Sequence, residues 1–373
     1  MKGFFTAFKV LILFFLSFAV QASDNTIKIG AIFAKTGEAA EENMVLFQAV
    51  RFAVDEVNQL GGIHGRAIEL LEYDNHSNAI QSLQAAQRAV ADGVLAVIGA
   101  SWSTHSLAIA PYLQKMQTPM ISPDSTNPRL TAIGDYIFRA CVSDTWQGKL
   151  LSKFAWSQLQ GQTAIILQNT NSDYSIGLSE QFALDFASMG GEIKAIINYK
   201  SDLNNLDDIL SKVSASSPDI LFIPGYGESG KIVKSAQNAG IKSKVLGGDT
   251  WSYKEFFVHG GQDLHEGYYS SHWNKSLTDT KSVDFVERYG KFYQITDYVA
   301  GGYDAAWILF EAMKRAKKIE RQVIRDELAN TRDFDGVTGR ISFDSQGDAI
   351  KGMLIIKITD GKTQVLSKID PSY

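Results

Sequence analysis

The sequence predicts an α/β protein built as two doubly wound lobes. Three observations carry that expectation. The chain has 373 residues, too long for one ordinary core and suited to two. Short β-rich runs alternate with amphipathic helical patterns, and no linker or low-complexity segment interrupts them. Runs such as "VLAVIGA" (94–100) are continuously apolar, as a strand covered on both faces must be. Hydrophobic residues make up 45% and charged residues 21%, a globular balance.

The first 22 residues read as a secretory leader. Lys2 and Lys9 precede and flank "VLILFFLSFAV", and "VQA" places small residues around a cut after Ala22. Eleven apolar residues are short for a permanent span, so a soluble, exported protein is expected. The only cysteine, Cys141, lies far from that junction. It rules out an internal disulfide and a lipid anchor there, and reads as a small buried apolar residue.

The elements then follow in order. "IKIGAIF" (27–33) reads as a strand and "ENMVLFQAVRFAVDEVNQL" (42–60) as a helix, with Gly61 suited to the left-handed position that ends it. "RAIELLEYD" (66–74) is a strand. A helix over 78–93 should bury Ile80, Leu83, Ala86, Ala89 and Val90 on one face. The 94–100 strand and a short apolar run ending before Asp124 complete the first series. After about residue 144, strands are expected at 163–169, 190–199, 219–225 and 244–249, with helices at 177–190, 206–215 and 228–240. Alternation of this kind implies right-handed crossovers and parallel sheets, which bind ligands beyond the carboxyl ends of their strands.

Those strand ends hold the candidate chemistry. "GYGESGKI" (225–232) imitates a phosphate loop, but Ile232 stands where the metal-holding hydroxyl belongs, and Gly230 falls in the first turn of a helix. Tyr226 remains there, with a ring and a hydroxyl. Ser101, Ser103, Thr104 and Ser106 follow the 94–100 strand, and Asp124, Ser125 and Thr126 follow the next. Such clusters cap helices, yet a cap and an anion site share one geometry. Asp249 follows a strand of the second series, where an acid opposite neutral donors suits an ammonium group; Tyr174 follows another.

Composition excludes several classes. Without the leader lysines the chain has 34 basic and 41 acidic residues, net −7, with no basic block, so nucleic acid is not expected as a partner. No H-E-x-x-H, paired cysteines or G-x-S-x-G occurs, and His64, His76, His105, His259, His265 and His272 are scattered. No catalytic residue, metal or cofactor is expected. His105 and His272 are placed nearest the expected cleft.

Taken together, "IKIGAIFAKTGEAA", "AVDEVNQLGGIHGRAIELLEYDN", "VIGASWSTHSLAIAPYLQKMQTPMISPDSTNP", "NSDYSIG", "FIPGYGESGKIVKSAQNAGIK", "LGGDTW", "YVAGGYDAAWILFEAMKRA" and "FDGVTGRISFDSQGD" resemble, in order and spacing, the solute-binding proteins of branched-chain amino acid ABC transporters, the type I periplasmic binding proteins. The resemblance implies two Rossmann-like lobes joined by three hinge crossings. Lobe 1 would take 23–143 plus 273–345 and lobe 2 would take 144–272 plus 346–373. A small amino acid, aliphatic or small polar, would be captured in the cleft by hinge closure and passed by a monomeric protein to a membrane permease. Carried over by position, Ser103 and Thr126 would hold the ligand carboxylate with help from Asp124 and Ser125. Asp249 would take the ammonium, Tyr174 and Tyr226 would close over the ligand, and Tyr298 would lie near its side chain. The sequence departs from the family at Asp249, where glutamate is common, at the bulky Trp102, and at Glu41 and Glu42. A pocket-facing Glu42 would disfavour leucine; a carboxylate at a helix N-terminus is the favoured reading.

Other readings are a receptor for an amide, urea or an aromatic acid, a sensor that signals to a membrane receptor, and an exported hydrolase. Lys231→Ala separates the last: assayed for turnover and for ligand binding, the variant should bind as the parent does and neither should turn over. Activity lost with Lys231 would restore the phosphate-loop reading.

Overall fold

The computed structural model describes residues 26–371. The expected leader, residues 1–22, lies outside them. The chain opens with β1 (Thr26–Phe33), α1 (Ala40–Gln59), β2 (Ala67–Asp74), α2 (Ala79–Ala91), β3 (Ala96–Gly99), α3 (Ser103–Lys115), β4 (Met120–Ser122) and β5 (Ile137–Arg139). These strands form one parallel sheet in the order β2-β1-β3-β4-β5. Both faces are covered. Ile27, Ile29, Ala31 and Phe33 of β1 join the core beneath α1, while Ile32 turns to the opposite layer with Ala85, Ala89 and Ile109. This alternation explains why β1 is apolar from Ile29 to Phe33.

α1 stops where expected. Gly61 and Gly62 have φ of 97° and 73°, and the Gly62 N–H donates to the Val57 carbonyl at 2.9 Å. In α2 the expected apolar face is rotated. Ile80 is 69% exposed, whereas Ser82, Ala85, Ala86 and Ala89 are buried. α2 packs closely on α3, and a stripe of small residues lets the helices approach where isoleucine would hold them apart.

The chain then passes through α4 (Asp144–Ser157), β6 (Thr163–Asn169), α5 (Asp173–Ser188), β7 (Glu192–Tyr199), α6 (Leu206–Ser216), β8 (Ile220–Ile223), α7 (Glu228–Asn238), β9 (Lys244–Gly247), α8 (Lys254–Val258) and β10 (Glu266–Ser271). It continues into α9 (Thr280–Tyr289), α10 (Ala300–Arg315) and α11 (Arg321–Ala329), of which α10 packs on α1 of the first sheet. β11 (Phe334–Gly336), β12 (Gly339–Phe343) and β13 (Ala349–Ile350) form a small antiparallel sheet. β14 (Met353–Thr359) and β15 (Lys362–Ile369) complete a seven-stranded sheet ordered β15-β14-β10-β9-β8-β6-β7.

That second sheet is parallel only through β10; β14 and β15 are antiparallel. The alternation rule does not reach them, because a two-residue turn joins them instead of a helix. Asp360 and Gly361 have φ of 47° and 71°, the mirror-image turn that Asp-Gly favours between strands.

The glycines of the phosphate-loop imitation are structural. A Cβ on Gly230 would run into the Phe256 carbonyl, so this glycine sets the approach of α7 to the end of α8. Gly230→Ala should therefore cost about 1–3 kcal/mol of unfolding free energy in a urea titration, with little change in ligand affinity.

Candidate functional site

Most candidate groups hang from the carboxyl end of a strand, where the two sheets face each other; Tyr298 instead lies just before α10. Trp102 and Ser103 open α3 after β3; Asp124, Ser125 and Thr126 follow β4. From the other side, Tyr174 lies in the first turn of α5 after β6, Tyr226 follows β8, Asp249 follows β9 and His272 follows β10. Asp249, expected just past a strand, follows β9 and opens a 3-10 turn of four residues.

The sides meet directly. The Trp102 ring stacks on Tyr226 with centroids 3.9 Å apart and planes 12° off parallel. Tyr226 touches Tyr174 at 5.3 Å, and Tyr253 packs on Tyr298 at 4.6 Å. The Tyr253 hydroxyl donates to the Asp124 carboxylate from across the gap. At the rim, Arg129 pairs with Asp173 and Lys254 with Glu41, each at 2.5 Å. The Asp173 N–H donates to Thr104 Oγ1 at 3.1 Å, so this member of the serine–threonine cluster bridges the sides.

Asp249 is the centre of the second side. It is 3% exposed; Tyr174 donates to its Oδ1 at 2.9 Å, and His272 Nε2 lies 3.2 Å from its Oδ2. Its backbone N–H donates to Gln147 Oε1 at 2.9 Å, and Ser270 donates to the same oxygen at 2.6 Å. Gln147 of α4 thus fixes the Asp249 turn, a role no motif in the sequence signals. Gly248 is required beside it, because a Cβ there would collide with the Tyr174 hydroxyl.

The first side offers hydroxyls. Thr126 is fully buried, and its Oγ1 has no hydrogen-bond partner. Ser103 Oγ accepts from the Asn127 N–H at 3.3 Å and keeps its own proton free to donate. Ser125 is committed inward. Its hydroxyl donates to the Ser101 carbonyl at 2.6 Å and lies 2.6 Å from Ser106 Oγ, and its carbonyl accepts from Arg139 at 2.9 Å. The backbone N–H groups of Asp124 and Ser125 point at Ser122 Oγ, at 3.4 and 3.0 Å. Asp124 therefore brings a carboxylate, not donors, toward Asp249. Burial and the nearby Asp249 charge hold the Asp124 carboxyl well above its ordinary range.

Asp124, Asp249 and His272 offer three ligand atoms within 4.8 Å of one another, a donor set suited to a cation. Lys351 lies in the same lining, and burial pulls its amine down to about 8 against the opposing charge of Asp304. Cys141, buried as expected, lines this space too, and burial pushes its thiol up. No motif marks Lys351 for this place.

Beyond the aromatic stack lies an outer cavity of about 700 Å³, lined among others by Glu42, Trp102, His105, Tyr226 and Glu255. Glu42 sits in the first turn of α1, at the helix N-terminus as expected, and it is also 2% exposed and lines this cavity. Burial and the Glu255 carboxylate raise it from the ordinary 4.5 to about 9. His105 stacks on Trp102 at 5.7 Å.

Parallel sheets whose strand ends carry polar groups to one seam form a cleft lined by Asp124, Asp249, His272 and Tyr298. Residues 26–363 match the model of the periplasmic binding protein family, and the chain belongs to that family. It is 24% identical over 339 residues to the leucine-, isoleucine-, valine-, threonine- and alanine-binding protein of Pseudomonas aeruginosa, covering 90% of this chain and 89% of that one. Among solved structures it resembles the leucine-binding protein LivK of Thermotoga maritima, with 30% identity, a TM-score of 0.87 and coverage of 93% and 99%. It also resembles LivJ, a branched-chain amino acid transporter substrate-binding protein of Streptococcus pneumoniae solved with isoleucine, with 30% identity, a TM-score of 0.84 and coverage of 93% and 100%.

The raised Glu42 carboxyl makes stability depend on pH. The folded chain holds this proton more tightly than the unfolded chain, so the contribution is full below about 4.5 and is lost as pH rises toward about 9. The melting temperature should fall over that window, and less steeply in Glu42→Gln, as a calorimetric pH series would show.

Proposed function

We propose that this chain is the extracytoplasmic substrate-binding component of an ABC importer and captures an amino acid between its lobes. The observation that carries this reading is the buried Asp249 carboxylate after β9 on one side and the buried Ser103 and Thr126 hydroxyls after β3 and β4 on the other. A zwitterion meets both only when the lobes come together. Asp249 takes the ammonium, with Tyr174 and His272 orienting it. Thr126 Oγ1 and Ser103 Oγ donate to the carboxylate. Trp102, Tyr226, Tyr253 and Tyr298 enclose the rest. Asp124, first expected beside the ligand carboxylate, is assigned to the ammonium side.

The energies are adequate. Charge-assisted hydrogen bonds contribute about 1.5–3 kcal/mol each, and four approach the roughly 8 kcal/mol of a micromolar complex before ordering costs. Aromatic burial supplies the remainder. The ligand shifts the population toward the closed form because only that form completes the site. We place the hinge crossings near residues 143, 272 and 351. Gly347 and Asp348 still bond to Arg139, which keeps the chain with the first lobe past residue 345. The protein acts as a monomer in the periplasm, loses its leader near Ala22, and delivers its cargo to a membrane permease without chemistry of its own. Its relatives' names, which specify leucine, isoleucine and related amino acids, support the ligand class.

Asp249→Ala tests the assignment. Titration calorimetry should show amino-acid affinity reduced at least about 10–100-fold, with circular dichroism unchanged. Retained affinity would mean a ligand without an ammonium group, such as an amide, urea or aromatic acid.

A further inference from the structure

The cleft carries a second acidic pair that an aliphatic ligand would leave without a counter-charge. Glu42 comes from α1 on one side and Glu255 from α8 on the other, and both line the outer cavity. Glu42 is 2% exposed and its Oε2 has no partner; both Glu255 carboxylate oxygens are buried and have none. The neighbouring charges do not resolve this. Lys254 is held by Glu41 at the exposed rim. His259 bonds to the Gly227 carbonyl. Lys200 and Lys231 line the cavity, but neither pairs with Glu42 or Glu255. A separate, non-acidic group points the same way. His105 is 3% exposed, lines the same cavity, and its Nδ1 has no partner. Burial lowers it to about 4, so it faces the cavity as a neutral acceptor or donor and not as a counter-ion.

The walls are aromatic. Trp102 stacked on Tyr226 lies at the inner edge of this cavity, and Tyr298 feels both acidic pairs: Glu255, Glu42 and Asp124 all push its hydroxyl up. The faces of tryptophan and tyrosine attract a cation that lies beside them. We infer that the solute carries a second positive charge at the end of its side chain, received between Glu42 and Glu255, so that the ligand is a basic amino acid. Its ammonium would meet Asp249 and its carboxylate Ser103 and Thr126; its methylene chain would lie along the aromatic rings and its terminal cation would sit between the outer carboxyls. An apolar side chain would leave the two facing carboxyls with no counter-charge, sharing a proton between them, which discriminates against it. This inference rests on the proposed amino-acid capture and names the side chain it selects.

The experiment is a calorimetric titration of the folded protein with L-lysine, L-ornithine, L-arginine, L-leucine and L-isoleucine, repeated for Glu42→Gln and Glu255→Gln. At least one basic amino acid should bind about 100-fold or more tighter than leucine, as expected when a wrong ligand leaves buried charge unpaired. Either glutamine variant should reduce that preference about tenfold or more, consistent with loss of one charged hydrogen bond. Run at neutral pH in buffers of different ionisation heat, binding of the basic ligand should release about one proton from the outer pair, and Glu42→Gln should abolish the release. Leucine or isoleucine binding tighter than every basic amino acid, or a preference unmoved in both variants, overturns the inference and leaves amino-acid capture standing. Absence of binding by all five overturns both.

Discussion

A carboxylate removed from water must have its charge answered, and this cleft gathers several. Asp124 and Asp249 face each other across the inner part, and Glu42 and Glu255 across the outer part. Neutralising each by protonation is possible, but a bound cation does it while also holding the lobes together. The aromatic rings between the pairs, the unpaired Thr126 hydroxyl and the inward turn of α1 all take their meaning from that demand.

The fold serves it by bringing loops from two sheets to one seam. Parallel strands point the same way, so their carboxyl ends gather at one edge, and two such edges opposed make a closed space from short segments. Within the second side the arrangement is stiff. Gln147 ties the Asp249 turn to β10, and Gly248 leaves room for the Tyr174 hydroxyl that orients the carboxylate. Within the first side, Ser122, Ser125 and Ser106 bond to one another and to the Ala100 and Ser101 carbonyls. Most of the serines near the site thus build the loops that present Ser103 and Thr126.

Much of this was legible in the sequence, for definite reasons. Continuous apolar runs gave the parallel strands, glycine pairs marked helix ends, and the strand-end rule selected Tyr174, Tyr226 and Asp249. What was not legible depended on contacts between distant segments. The neighbour of Glu42 across the cavity is Glu255 of α8, more than two hundred residues away, and no local pattern reports it. Gln147 and Lys351 lack any motif. Ile80 was misplaced because helical periodicity leaves the face free to rotate by one residue, and close packing on α3 chose the small side chains. The antiparallel edge could have been found: Asp360-Gly361 between two alternating runs is a hairpin signal.

The rim contacts differ in kind from the interior ones. Arg129 with Asp173 and Lys254 with Glu41 join the lips of the cleft through side chains that water reaches freely. Dissolved ions screen such pairs within about 10 Å at moderate concentration, whereas the sealed groups behind them are shielded from that effect. Brine would therefore loosen the lips first, and the ease with which the empty receptor opens would follow the salinity of its surroundings.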